Sequence, residues 1–348
     1  MLLPEISRIR KILVRVPNWI GDAVMATPAL SVIRASFPDA RITLAANPVV
    51  AELFSHHPSC DEIAVFDKKG AHRGFLGSFR FSRELRSGGF DLAILLQNAM
   101  EAAILAAIAG IRLRAGYRSD GRGILLTHGI PLRKTDLRLH HTDYYLGMLE
   151  RLGLPIRHDG LVLHCTEEET AWARRQLGEG NWAAVNPGAA YGSAKRWFPE
   201  RFAAVADAIR SEFGFRILLI GGPGEKEIGR QIESLMPARP FNMIGKTSVR
   251  QMMALLSLCR LMVTNDSGPM HVAAALRVPI AALFGPTDHA TTSPLSAACR
   301  IIRKDTACAP CLKRVCPTDH RCMTAIAAED VIAAVRSLVG DSLPKGSP

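Results

Sequence analysis

Long apolar runs are missing from this sequence. The most apolar stretch, residues 99–111, contains Glu101 and is too short to span a bilayer. The first ten residues carry charge and lack both the apolar core and the small-residue cleavage site of a signal peptide, so the sequence reads as cytoplasmic. Aromatic residues make up only 6% and are not interleaved with the basic ones, which argues against single-stranded nucleic acid as a partner. No Asp-x-Asp pair follows an expected strand, and no His-Glu-x-x-His occurs, so neither common metal-dependent chemistry is indicated. No Ser-His-Asp arrangement can be picked from spacing, and there is no short tandem repeat or low-complexity tract.

What is present is the composition of a globular protein, 48% apolar and 22% charged, in 348 residues, a length that suits two domains. The net charge is +11. Between residues 111 and 139, Arg112, Arg114, Arg118, Arg122, Arg133, Lys134 and Arg138 face only Asp120 and Asp136. That excess implies an anionic partner (nucleic acid, an acidic membrane surface, or a phosphorylated or carboxylated substrate) or a solvated basic face.

The pattern of apolar residues alternates between strand and helix. Strands are expected at 9–16, 41–46, 62–66 and 91–96, and helices at 23–37, 49–55, 77–87, 99–109 and 140–152. Pro28 lies inside the first helical segment, so either Thr27 caps a helix or the helix kinks. The series then restarts: helices at 167–177, 199–213, 225–235, 248–258 and from Pro269, with strands at 182–186, 215–220, 261–264 and 279–284. A last helix is expected at 328–338 and a frayed tail at 340–348. Two alternating series predict two doubly wound parallel sheets, with a boundary near 155–168 and the main site in a cleft between them.

Five constellations suggest chemistry. The turn Asn265-Asp-Ser-Gly-Pro-Met-His271 follows a strand and opens a helix, with Gly268 as N-cap, Pro269 first in the helix, and the Met270 and His271 amides free for an anion. Asp266 and Ser267 beside that anion site suit hydroxyls, so the turn fits a ligand with both phosphate and polyol. The loop 186–197 is rich in small residues and delivers Lys195 and Arg196; it lacks the Gly-Lys-Ser/Thr ending of a Walker loop but suits a diphosphate. Asp22, after the first strand, has the chemistry of a general base or of a helix-start acid. Gly221-Gly-Pro-Gly224 precedes Glu225 and Glu227, either of which can hold a ribose hydroxyl or serve as a first-turn acid. Cys308, Cys311, Cys316 and Cys322 suggest either a structural zinc or a loop of reduced thiols.

Two of these motifs, the loop 186–197 and the turn 265–271, together with Asn18-Trp-Ile-Gly-Asp-Ala-Val-Met-Ala-Thr-Pro-Ala-Leu30, occur in the order found in glycosyltransferase family 9, which the chain resembles over nearly its whole length. The resemblance implies a GT-B fold of two Rossmann-like doubly wound parallel-sheet domains facing a central cleft. An acceptor-binding domain would span 1–160 and an ADP-sugar-binding domain 161–327, with a helix at 328–340 packing back on the first. It implies Asp22 as general base and Lys195 as the lysine on the donor diphosphate. Arg196, Glu225, Thr247, Asp266, Ser267, Gly268 and His271 would bind donor, and Lys68, Lys69, Arg73, Arg118 and Arg122 the acceptor's anionic groups. The reaction implied is inverting, metal-independent transfer of L-glycero-D-manno-heptose from ADP-heptose to the first heptose of the lipopolysaccharide inner core. No cofactor is required for it. The partners would be a Kdo- and heptose-bearing lipid A acceptor and the anionic inner leaflet of the inner membrane, with no nucleic acid. Ala190-Tyr191 stands where members that act on Kdo tend to carry Thr-Thr, which favours a heptose acceptor. The alternatives are a family member with a different acceptor or a non-catalytic nucleotide-binding protein.

Overall fold

The structure, a computed structural model, describes residues 8–157 and 159–342; the tail from 343 onward, where fraying was expected, lies outside the described residues. The chain divides into two compact units, residues 1–164 and 165–348.

The first unit contains β1 (Lys11–Arg15), β2 (Arg41–Ala46), β3 (Glu62–Val65), β4 (Leu92–Leu95), β5 (Leu113–Tyr117) and β6 (His128–Ile130). All pair in parallel, in the order β3-β2-β1-β4-β5-β6. Its helices are α1 (Ile20–Met25), α2 (Thr27–Ser36), α3 (Pro48–Leu53), α4 (Gly74–Ser87), α5 (Met100–Ile108) and α6 (His141–Arg151). β1 and β4 are buried on both faces apart from Lys11, as a central parallel strand must be when helices cover both sides. The expected 23–37 helix is broken at Ala26: Pro28 cannot donate, so α2 restarts with Pro28 in its first turn, and Thr27 Oγ1 donates to Val24 O at 2.7 Å. β5 and β6 were not anticipated. They run through the basic stretch, where charged side chains interrupt the apolar pattern that marks a strand.

The second unit contains β7 (Trp182–Asn186), β8 (Arg216–Leu219), β9 (Phe241–Asn242), β10 (Cys259–Asn265), β11 (Ile280–Leu283) and β12 (Cys299–Ile302). They form a second parallel sheet in the order β12-β11-β10-β7-β8-β9. Counted within its own unit this is the same topology as the first sheet, 3-2-1-4-5-6. The helices are α7 (Glu167–Leu177), α8 (Pro199–Phe213), α9 (Lys226–Leu235), α10 (Val249–Ser257), α11 (Gly268–Ala275), α12 (His289–Thr292), α13 (Arg321–Thr324) and α14 (Ala328–Ser342). α7 shows why the sequence marks its helices so clearly. Thr166 and Glu169 form a reciprocal capping box, and acids fill the first turn while Arg174 and Arg175 occupy the last.

The last helix, α14, buries Val331, Val335, Leu338 and Val339 in the same core cluster as Phe202, Val205 and Ile209 of α8. Its apolar spacing matches the groove beside α8 and β12, and Arg336 pairs with Glu212 at the end of α8.

Trp197 and Phe202 anchor that core, with ring centroids 5.1 Å apart edge to face, and Trp197 Nε1 donates to Ile326 O at 3.1 Å. Phe202 is fully buried. Phe202→Ala is expected to destabilise the second unit by about 3–5 kcal/mol; urea unfolding showing a loss below about 1 kcal/mol would contradict this account of the core.

Candidate active site

In an open parallel sheet the crossovers leave in opposite directions from the strands where the order reverses, and the gap at their carboxyl ends is where ligands bind. In the second unit those strands are β7 and β10, and two of the expected loops follow them directly. Thr264 pairs with Asn186 in register. Asn186 Nδ2 donates to Thr264 Oγ1 at 3.0 Å and to Ser267 Oγ at 2.8 Å. Asn265 Nδ2 donates to Pro187 O at 2.8 Å, and Asn265 Oδ1 accepts the Trp197 N–H at 3.1 Å. Two buried asparagines thus stitch the two loops to each other, a role that spacing alone did not suggest.

The stitching delivers Lys195 to Asp266. Lys195 Nζ lies 2.6 Å from Asp266 Oδ2, which also accepts from Thr287 Oγ1 at 2.6 Å, and both side chains of the ion pair are largely buried. The sequence had assigned these two residues to separate parts of a ligand; folded, they are partners. Lys195 Nζ also sits 4.8 Å from the centroid of the Tyr191 ring. Arg196 follows, its Nε buried without a hydrogen-bond partner, which leaves a donor for a ligand oxygen.

Glu225 closes another side. Its Oε2 accepts the Gly222 N–H at 2.7 Å, and burial pushes its carboxyl up from the usual carboxylate range, against the opposing pull of Arg196 and backbone N–H groups. A Cβ on Gly188 would lie 1.9 Å from this carboxyl, so a larger residue there would push the Glu225 side chain out of its present position. Thr247 is half-buried in the turn before α10.

The start of α11 differs in detail from expectation. Ser267 is the N-cap and Gly268 the first helical residue, and the Met270 N–H, expected to be free, bonds Ser267 O at 3.1 Å. The His271 side chain, expected at the donor, is buried, because the helix sinks its first turn against the sheet.

The segment that carries the cysteines braces the Lys195 loop. Arg314 O accepts the Ala194 N–H at 3.0 Å, Tyr191 Oη donates to Leu312 O at 2.7 Å, and His320 Nε2 lies 2.6 Å from Ala194 O. A Cβ on Gly192 would lie 2.1 Å from Arg314 O. Cys308 is exposed, Cys311 and Cys316 are half-buried and Cys322 is buried; all four are free thiols. Among the described residues no group of three or more His, Cys, Asp or Glu is arranged to hold a metal ion.

In the first unit Asp22 stands in the first turn of α1, beyond the end of β1 and beside the β1–β4 reversal. The loop ahead of it is held by Arg15 Nη2, which donates to Asn18 Oδ1 at 3.0 Å, and by Asn47 Nδ2, which donates to Asn18 O at 2.8 Å. His141 Nδ1 lies 3.0 Å from Asp22 Oδ1, a partner that sequence reasoning missed because 119 residues separate the two.

Of the basic residues expected at an acceptor, Lys68, Lys69, Arg73 and Arg118 are exposed. Lys68 pairs with Glu101 at 2.7 Å. Arg122 is a correction. It is fully buried and donates to Tyr117 O at 2.8 Å and to the carbonyls of Leu95 and Gln97, so its charge is spent on strand ends rather than offered to an acceptor. Burial lowers its pKa to about 10.

An open hollow of about 730 Å³, lined by Trp182, Arg216, Arg239 and Phe241 among others, lies at the amino ends of β7 and β8, away from these loops.

Two Rossmann-like units with polar loops at each reversal of strand order define a GT-B-type glycosyltransferase fold. The model of glycosyltransferase family 9 (heptosyltransferase) matches residues 78–321, and the chain belongs to that family. It is 30% identical over 343 residues to lipooligosaccharide heptosyltransferase 2 of Campylobacter jejuni, covering 95% of this chain and 99% of the relative. The structure of Escherichia coli ADP-heptose lipopolysaccharide heptosyltransferase II superposes with a TM-score of 0.82 at 28% identity, covering 95% of this chain and 99% of that one. E. coli lipopolysaccharide heptosyltransferase 3 is 26% identical, covering 94% of this chain and 97% of the relative.

The Lys195–Asp266 pair makes a stability prediction. Lys195→Met leaves a buried carboxylate without its cation and is expected to cost about 3–5 kcal/mol, whereas Lys195→Met combined with Asp266→Leu recovers most of it. Denaturant unfolding of both variants checks this; a single variant as stable as the parent would mean that the pair is not held together in solution.

Proposed function

We propose that the protein transfers L-glycero-D-manno-heptose from ADP-heptose to the first heptose of the lipopolysaccharide inner core, with inversion and without a metal. The observation that carries this reading is the delivery of Lys195 and Asp266 to one point at the β7–β10 reversal. There a cation for a diphosphate stands beside a carboxylate for sugar hydroxyls. Arg196, with its unpartnered Nε, adds a second cation, and the start of α11 at Gly268 adds a dipole. Glu225 would take the ribose hydroxyls, and Thr247 would lie near the adenine. The similarity to heptosyltransferase 2 relatives over nearly the whole chain supports the heptose and its acceptor.

In this reading the acceptor hydroxyl attacks the anomeric carbon from the face opposite ADP. Asp22 takes the hydroxyl proton, a carbon–oxygen bond forms, and the bond to the diphosphate breaks with its electrons leaving on phosphate. Lys195 and Arg196 stabilise that developing charge, the kind of electrostatic contribution that is usually the largest catalytic term and that needs no divalent ion. Lys68, Lys69, Arg73 and Arg118 would meet the acceptor's phosphates and carboxylates. The heptosyltransferase 3 relative supports a second reading, the same chemistry on a different acceptor.

A transfer assay in EDTA with defined truncated cores tests both. Heptose-terminated cores are expected to be used and Kdo-terminated cores to fail, and Asp22→Asn is expected to lower kcat by roughly 100-fold or more while ADP binding persists. An Asp22→Asn enzyme with parental kcat would remove Asp22 from the base role, and preference for a Kdo-terminated or fully extended core would favour another acceptor.

No described helix is long and apolar enough to cross a membrane. The proposed acceptor is a lipid, and α4 carries an apolar surface suited to a bilayer. Phe75 is 83% exposed and Leu76 80%, with Phe79 close by, and the exposed Arg73, Arg80 and Arg83 surround them. We propose peripheral attachment to the anionic inner leaflet through this turn. The triple variant Phe75→Ser, Leu76→Ser, Phe79→Ser is expected to lose co-sedimentation with phosphatidylglycerol vesicles by roughly tenfold or more. Undiminished sedimentation would exclude this surface.

A further inference from the structure

We infer that His141 is the positioning residue for the Asp22 carboxylate, an inference that rests on the reading of Asp22 as proton acceptor. His141 opens α6 and Asp22 lies in the first turn of α1. α6 packs on both α1 and α2, so helix packing sets the 3.0 Å separation between Nδ1 and Oδ1, not a local turn. Among the described residues His141 is the only side chain hydrogen-bonded to that carboxylate. Asp22 remains 28% exposed and His141 39%, so the bond does not seal the carboxylate from a substrate.

The foundation under the pair is rigid. Tyr145, one turn further along α6, is buried, and burial together with the charge of Asp22 holds its phenol well above the usual value, so it keeps its proton and does not compete as a base. Tyr144 Oη accepts from Asn98 Nδ2 at 2.7 Å, and Tyr117 Oη donates to Tyr144 O at 3.0 Å, which ties α6 to the loop after β4 and to β5. His140, the N-cap, accepts the Thr142 N–H through its own ring at 3.3 Å.

An ionised carboxylate can only accept, so the bridging hydrogen is carried by Nδ1. That bond occupies Oδ1, fixes the plane of the carboxylate and leaves Oδ2 for the acceptor hydroxyl. The proton then passes from the hydroxyl to Oδ2 as the new carbon–oxygen bond forms and the diphosphate departs with the electron pair of the old one. The imidazole keeps its Nδ1–H and transfers no proton in this step. It keeps the base in the orientation in which transfer is productive, where a displacement of about 1 Å can cost on the order of 100-fold in rate.

The test uses the full-length enzyme with ADP-heptose and the acceptor it prefers. His141→Ala is expected to lower kcat by roughly 10- to 100-fold, with donor KM within about twofold of the parent. His141→Asn places an amide N–H near the position of Nδ1–H and is expected to recover kcat to within roughly fivefold of the parent, whereas a proton-carrying or merely space-filling histidine would not be rescued this way. Parental kcat in His141→Ala, or an Asn variant no better than Ala when both melt with the parent, overturns the inference. Asp22→Asn separates the layers. If it is inactive while His141→Ala is fully active, only the positioning role fails; if it is itself fully active, the base reading fails and takes this inference with it.

Discussion

The reversal of strand order in each sheet is the constraint on which the polar features of this protein depend. A parallel strand needs a crossover, and crossovers on either side of β1–β4 and β7–β10 run to opposite faces. The loops leaving those strands therefore diverge and leave backbone and side-chain polar groups at a rim that the sheet cannot cover. In the second unit the rim is held in shape by reciprocal asparagines. Asn186 bonds Thr264 and Ser267 from one strand, and Asn265 bonds Pro187 O and Trp197 N from the other. Buried amides satisfied in this way are stiff, which is what a loop presenting a lysine to a substrate requires.

Glycine and a distant segment complete the rim. Gly188 admits the Glu225 carboxyl against the backbone, and Gly192 admits the carbonyl of Arg314. The cysteine-bearing segment therefore acts through its backbone, fastening residues 191–194 beside Lys195. That gives it a structural part in the site without any metal being invoked.

The first unit handles charge in the same economical manner. Arg15 and Arg122 are both buried, and burial lowers each to about 10, so both stay protonated at neutral pH and donate to carbonyl oxygens at the strand ends. Part of the basic excess in this half of the chain is thus structural. The rest, in Lys68, Lys69, Arg73 and Arg118, remains on the surface for an anionic partner. A count of basic residues could not divide the two groups, since the division depends on which side chains the packing of β5 and the turn after it swallows.

The sequence by itself determined the two α/β series, the bounds of strongly patterned elements such as α7, β2, β7 and α8, and the positions of the loops that carry Asp22, Lys195 and Asp266. Those features follow from local causes: period, capping residues, proline and glycine, all readable within a dozen residues. It missed β5, β6, β9 and β12, whose short or charge-interrupted patterns are stabilised by neighbours in the sheet rather than by their own periodicity. Tertiary structure alone decided that Lys195 pairs with Asp266, that His141 meets Asp22, that Arg122 is buried and that α14 packs on α8. Each of these joins elements that are distant or non-adjacent in the chain, and their distances are fixed by how helices and strands stack, a quantity that no local stretch of sequence contains.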